Sequence, residues 1–293
     1  MSVAGSTTAC AGRSREGSSG ARVISVVVVA LIGSVSACAG PPAGPLSAAA
    51  ATDIRVEVPA GYDPSGTVWL PMTRKLVMVD DEGTVSVLDI DTGEGRHWKV
   101  GGDLEAVTVD PADETRIFLG VELPAAIWAF DLEAGAVVAR CSISVEASGA
   151  KPGKKKSGVE ALAFVSDTGT APGGVFWVGT QADGAIHRLR VRWQDGGGCA
   201  VEPLDTFTPF PGRGDLADLA WDGGSRVLFA LYDRADRLAV LDLSGRATSD
   251  WPLPVGEQEG VAVLPCALII ADDASGRVSR YSMPGIGGCA TSE

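Results

Sequence analysis

The chain has 293 residues, with 24 Lys and Arg against 37 Asp and Glu, a formal net charge of −13, and a 45% hydrophobic content. Such an acidic surface repels polyanions, which excludes nucleic acid as a partner and argues against electrostatic adhesion to anionic lipid. The apolar fraction is ample for a core, and the length beyond any leader suits one all-β domain of about 200 to 250 residues.

Residues 1–22 are rich in Ser and Gly and carry Arg13, Arg15 and Arg22; residues 23–35 hold no charge, and Val35-Ser36-Ala37-Cys38 follows. A basic start, a short apolar run and small residues before a cut describe a secretory signal rather than a membrane span, which needs about 20 apolar residues. The Val-Ser-Ala-Cys sequence resembles the bacterial lipobox, whose cysteine is diacylated and becomes the mature N-terminus. That resemblance implies a signal peptide over 1–37 and a lipid anchor at Cys38, holding the protein on the extracytoplasmic face of the cell membrane. An ordinary signal peptide cut near Ala37 is the alternative. Residues 38–52, rich in Ala, Pro and Gly, read as a flexible tether. Loss of 1–37 removes three Arg and one Glu, leaving −15 on 256 residues.

From residue 53 onward the chain repeats itself. Leu104 to Asp110 reads LEAVTVD, and weaker copies follow as VEALAFV from Val159, LADLAWD from Leu216 and QEGVAV from Gln258. Each is followed by a turn and an apolar run ending in a polar group: IFLGVE, VFWVGTQ, VLFALYD and ALIIADD. A third run closes each unit, as IWAFD, IHRLRV, LAVLD and VSRYSM. An earlier unit lacks the acid but keeps the rest, as TVWL, LVMVDD and VSVLDID. A period near roughly 40 residues with short strands and Gly or Asp turns is the signature of a β-propeller blade. Five blades are favoured, with six left open by the long stretches Ser142 to Gly158 and Gln194 to Gly214. Blade five runs out of chain after Met283, and Asp53 to Pro59 has a strand-like alternation with no blade of its own. Pairing of that N-terminal strand into the last blade removes an exposed sheet edge. The propeller is thus expected over 53–288, with a tail over 289–293.

The lysine-rich run at 151–156 lies between two blades and reads as a solvated loop. Cys141, Cys199, Cys266 and Cys289 in an exported protein suggest two disulfides, of three possible connectivities. Their positions favour Cys141 with Cys199, and Cys266 with Cys289, the second pinning the tail onto the last blade. Zinc is a poor alternative, since there is no CxxC and His97 and His187 are the only histidines.

In a propeller the first strand of each blade lines the channel, so Glu105, Glu160 and Glu259, which share one repeat position, converge near one end. The fourth unit has Ala217 there, and Asp218 beside it completes a candidate metal set. Carboxylates so gathered repel one another unless a cation sits among them, and an all-oxygen set favours Ca²⁺. A second set, Asp80 and Asp81, Glu122, Gln181, Asp233, and Asp272 and Asp273, ends the second strands and either rims the channel or caps turns. There is no GxSxG, HExxH or Walker loop.

The order of these elements resembles the SdiA-regulated family of bacterial propellers and, more distantly, the esterase-like phytase and gluconolactonase propellers. The motifs that carry the likeness are LEAVTVDP with GVELPAAIWAFDLEAG, VEALAF, LADLAWD with LYDRADRLAVLDLSG, and QEGVAV with LIIADDASGRVSRYSM. The resemblance implies an envelope-attached propeller with calcium at the channel. Where gluconolactonases use Glu and Asn ligands this chain has no Asn at all, and Arg213, Arg226, Arg234, Arg237 and Arg277 are the only candidates for phytate-binding cations. Two functions follow as expectations: a monomeric module that binds a small ligand or a protein, or a metal-dependent hydrolase of the phosphoesterase or lactonase class.

Overall fold

A computed structural model describes residues 46, 51–145, 158–166, 174–194 and 196–289. The signal segment with Cys38, the lysine-rich run at 151–156 and residues 290–293 lie outside the described residues. What is described is all β, with no helix.

Twenty strands form five four-stranded antiparallel sheets. β1 (Ala51–Ile54) precedes the first blade, which is β2 (Pro64–Leu70), β3 (Lys75–Asp80), β4 (Thr84–Leu88) and β5 (Gly95–Lys99). Blade 2 is β6 (Leu104–Asp110), β7 (Asp113–Val121), β8 (Ala126–Asp131) and β9 (Ala136–Ser142). Blade 3 is β10 (Ala161–Val165), β11 (Val175–Gly179), β12 (Ile186–Trp193) and β13 (Cys199–Phe207). Blade 4 is β14 (Leu216–Asp222), β15 (Val227–Tyr232), β16 (Arg237–Leu241) and β17 (Ala247–Pro252). Blade 5 is β18 (Gln258–Leu264), β19 (Ala267–Asp272) and β20 (Arg277–Ser282), completed by β1. The first strands β2, β6, β10, β14 and β18 touch in that cyclic order, so this is a five-bladed β-propeller. The long stretch after Gln194 holds β13, the outer strand of blade 3, and no extra blade.

The core is divided among the blade interfaces. Five apolar clusters occur, each built from two neighbouring blades. Because successive side chains of a strand point to opposite faces, β15 sends Val227, Phe229 and Leu231 to the interface with blade 5, and Leu228, Ala230 and Tyr232 to that with blade 3. Inner strands are buried on both faces and read as continuous apolar runs, as in VFWVG. The outer strands β5, β9, β13 and β17 have one or both faces in water and mixed composition.

Ring closure occurs as the repeat implies, with a shift of register. β1 begins at Ala51 and ends at Ile54, pairing antiparallel with β20, and Asp53 meets Arg277 at 2.6 Å. Residues 55–58 leave the sheet, because the chain must cross to blade 1. There Val56 and Val58 pack into the interface of blades 5 and 1, and Glu57 N donates to Gly93 O. Leu46, inside the stretch expected to be a tether, is buried between blades 4 and 5.

Both expected disulfides are present. Cys141–Cys199 ties the outer strands of blades 2 and 3 (Cα–Cα 5.5 Å), and Cys266–Cys289 holds the tail against the β18–β19 turn (Cα–Cα 5.1 Å). A bridge closing a loop of 58 residues restricts the unfolded chain, so the double substitution Cys141→Ser with Cys199→Ser is expected to cost about 3 to 4 kcal/mol. Chemical denaturation of the two forms checks this; an unchanged midpoint would mean that the outer strands are held by packing alone.

Candidate functional site

The channel has two chemically opposite ends. At the end where the first strands begin, the ladder carries the same irregularity in four blades. The register slips between Pro64 and Gly66, Leu104 and Ala106, Leu216 and Asp218, and Gln258 and Gly260. A β-bulge leaves one residue without a ladder partner and re-aims its side chain. The bulged residues are Ser65, Glu105, Ala217 and Glu259, while Glu160 sits just ahead of β10 with its N–H on Gly179 O. Glu105, Glu160 and Glu259 are therefore at equivalent places at one mouth, as the repeat implies.

Two further sets join them. Asp63, Asp103, Asp215 and Glu257 immediately precede the first strands. Of these the repeat pattern pointed only to Asp215, as a neighbour of Ala217; aligning the repeats one residue upstream exposes the others. Backbone oxygens of Asp103, Asp215 and Glu257 accept the N–H of Glu122, Asp233 and Asp273 respectively. That bonding fixes the second set: the position of Glu122, Gln181 and Asp233 is filled in blades 1 and 5 by Asp81 and Asp273. Asp80 and Asp272, expected at the rim, are one residue out of register. Asp80 accepts Thr84 N, and Asp272 accepts Ser275 N and Glu257 N, so both carboxylates cap turns.

Asp218 is also out of place for a mouth ligand. The ladder pairs it with Leu231 at the position held elsewhere by Gly66, Ala106, Ala161 and Gly260. It is fully buried on the axis. Its Oδ2 accepts Val261 N at 2.8 Å and Thr67 N at 3.3 Å, and its Oδ1 accepts Leu219 N at 2.8 Å. Asp218 thus joins the inner edges of blades 1, 4 and 5 and closes the channel below the mouth. Burial holds its carboxyl well above the usual range, against the three N–H donors.

At the mouth itself, carboxylate oxygens of Asp103, Glu105 and Glu122 lie within 4.8 Å of one another. Glu160 and Gln181 are buried, and Gln181 Oε1 has no hydrogen-bond partner. Burial, then the charges of Asp233, Glu105, Asp273 and Asp215, push Glu259 up to about 8. Burial and Asp215 raise Asp233 to about 6. Asp81 and Asp273 are raised in the same sense, by burial first and then by neighbouring acids. Arg234 meets Asp215 at 2.9 Å, while Arg213 and Arg237 are engaged with Asp250 and Arg277 with Asp53. His187, in β12, contacts Thr206 Oγ1 at 3.0 Å and is away from this cluster of acids.

At the other end, the last residues of the first strands and the turns after them enclose an apolar cavity of about 310 Å³, bordered by Trp69, Phe164, Trp221 and Val263. Nothing in the repeat pattern pointed to it.

Among solved structures, the fold resembles a glutaminyl cyclase from Myxococcus xanthus, with a TM-score of 0.57 and 11% identity over 80% of this chain and 97% of that one. A Cps50 (Swd1) β-propeller domain from Myceliophteria thermophila matches with a TM-score of 0.46 and 11% identity, over 75% and 82% of the two chains. At such identities the likeness is one of fold. No protein-family model and no curated protein matches the chain.

The crowded acids make stability depend on pH. An acid whose folded-state pKa is raised favours the folded state fully below its unfolded value, and that contribution is lost as pH climbs through the folded value. For Glu259 the window runs from 4.5 to about 8, and for Asp233 from 3.8 to about 6. In EDTA, melting temperature should fall as pH rises from 5 to 8, and Glu259→Gln should flatten the upper half of that slope. A pH-independent melt of the parent protein would contradict the crowding.

Proposed function

We propose that the protein is a propeller-based binding module whose acidic mouth holds a Ca²⁺ ion, displayed outside the cell by a lipid anchor at Cys38. The observation that carries this reading is the convergence of Asp103, Glu105 and Glu122 within 4.8 Å. The donors are all oxygen, and they are fixed by bulges and backbone bonds. Hard divalent cations take such sets, and Ca²⁺ accepts six to eight oxygens with loose geometry. Asp103, Glu105 and Glu122 would hold the ion, with Glu160 and the carbonyl of Gln181 on the neighbouring blade. When bound, the ion supplies positive charge that stabilises the ionised mouth and leaves positions for oxygen atoms of a ligand. The surrounding ring of Asp81, Asp233, Asp273 and Glu259 then favours a ligand that is neutral or cationic away from the ion.

A second reading is a metal-dependent hydrolase using the same mouth. It is favoured by Glu259, whose value of about 8 places a proton donor near neutral pH within this cluster. The glutaminyl cyclase shows that an enzyme can occupy this fold, which by itself does not choose an activity. The SdiA-regulated resemblance is compatible with either reading.

At a Ca²⁺ concentration one hundred times its dissociation constant, melting should rise by about 5 to 10 °C over EDTA, and Glu105→Gln with Glu122→Gln should abolish the rise. Absence of any shift would end the calcium reading. Turnover of phosphomonoester, phosphodiester or lactone substrates with added Ca²⁺, lost in Glu259→Gln, would select the hydrolase. For the anchor, an alkyne fatty acid fed to expressing cells should label the parent chain and not Cys38→Ala; label on both would sink it.

A further inference from the structure

The apolar cavity lies beyond Asp218, at the opposite end from the acids, so it is a separate site. We propose that it is a preformed pocket for a neutral, lipophilic small molecule. Its volume of about 310 Å³ sits at the lower edge of small-molecule sites and admits a ligand of on the order of fifteen non-hydrogen atoms.

The walls exclude charge. Among the described residues no Lys, Arg or His borders the cavity, and Asp222 is the one ionisable side chain that does. Asp222 is buried and already engaged: Oδ1 accepts Gly224 N at 2.9 Å, and Oδ2 accepts Gly287 N at 3.1 Å and Ser225 Oγ. It offers a ligand nothing, and the chain's net charge of −13 further disfavours an anion.

The rings of Trp69, Phe164 and Trp221 stand along the wall, and a ligand with an apolar body covers them and takes their faces out of water.

The pocket is also rigid, which lowers the cost of binding. Among the described residues its sides are strands in continuous ladders and the turns after them, and the tail at Gly287 and Gly288 adds to the wall. That tail is held by Cys266–Cys289, by Cys266 N on Ile286 O, and by the Asp222 contact.

The test is fluorescence titration of the intact protein with Prodan, a neutral naphthyl ketone of about the right size. Saturable one-to-one binding with a blue-shifted emission and a dissociation constant on the order of 10 to 100 µM is expected. Val68→Phe and Val263→Phe fill the cavity from blades 1 and 5, and each should weaken binding at least about tenfold while Val255→Ser, at a fully exposed apolar residue, leaves it unchanged. Circular dichroism confirms that the filled variants fold; if one does not, the other carries the comparison. Absence of saturable binding, or equal binding by all forms, overturns the proposal. A concentration-dependent dimer that both Phe variants dissolve would overturn it too, by making a second copy the occupant.

Discussion

Five first strands converge on one axis, and each turns an edge of backbone N–H and C=O groups towards it with no sixth sheet to pair them. How those inner edges are satisfied decides everything else about the channel. Elsewhere in the ring neighbouring strands do it for one another, as when Thr108 Oγ1 accepts Phe164 N across the blade 2–3 boundary. On the far side one carboxylate, Asp218, takes N–H groups from blades 1, 4 and 5 at once. An acid buried there is expensive, and burial drives its pKa upward; three short-range donors offset that expense. The result is a closed axis rather than a pore, and it separates two mouths that have nothing chemical in common.

The separation follows from strand direction. Every first strand starts at the same end, so whatever the repeat carries at its start is gathered at one mouth, and whatever it carries at its finish is gathered at the other. The starts carry acids in three registers and a bulge that frees one of them from the ladder. The finishes carry Val, Trp and Phe, followed by turns with Pro71, Pro111 and Pro265. A single unit could not hold either site; the fivefold repetition multiplies modest local preferences into a strongly acidic ring and an apolar cup.

That logic also explains what the sequence made legible. Inner strands are sandwiched on both faces, so their apolar runs are continuous and the blades could be counted from them. Outer strands such as Gly95–Lys99 and Cys199–Phe207 pack weakly, and their mixed composition hides them among loops. Glu105, Glu160 and Glu259 stand out because Glu is uncommon at turns and recurs in register. The doublets Asp80-Asp81 and Asp272-Asp273 do not reveal which member faces the mouth, since that is fixed by a backbone bond such as Asp273 N to Glu257 O. Asp218 looked like the missing acid of blade 4, yet a shift of one residue along a bulged strand carries it from the mouth to the axis. The apolar cup was invisible for another reason. Its residues also belong to interfaces between blades, and only the geometry of the ring tells a core valine from a pocket valine.

The route of the chain completes the picture. Ring closure places Ala51 on the outermost strand of blade 5, at the perimeter and away from the axis. Neither mouth is crossed by β1. The opposite terminus behaves differently: after β20 the chain turns inward, Ile286 is buried, and a disulfide and Asp222 fix Gly287 and Gly288 at the edge of the apolar cup. β1 closes the ring, and the tail after β20 builds part of a wall. A ring closed by β1, tied between outer strands by Cys141–Cys199 and braced at the cup by Cys266–Cys289 can tolerate a crowd of carboxylates at one mouth, because those acids do not have to supply the stability of the fold.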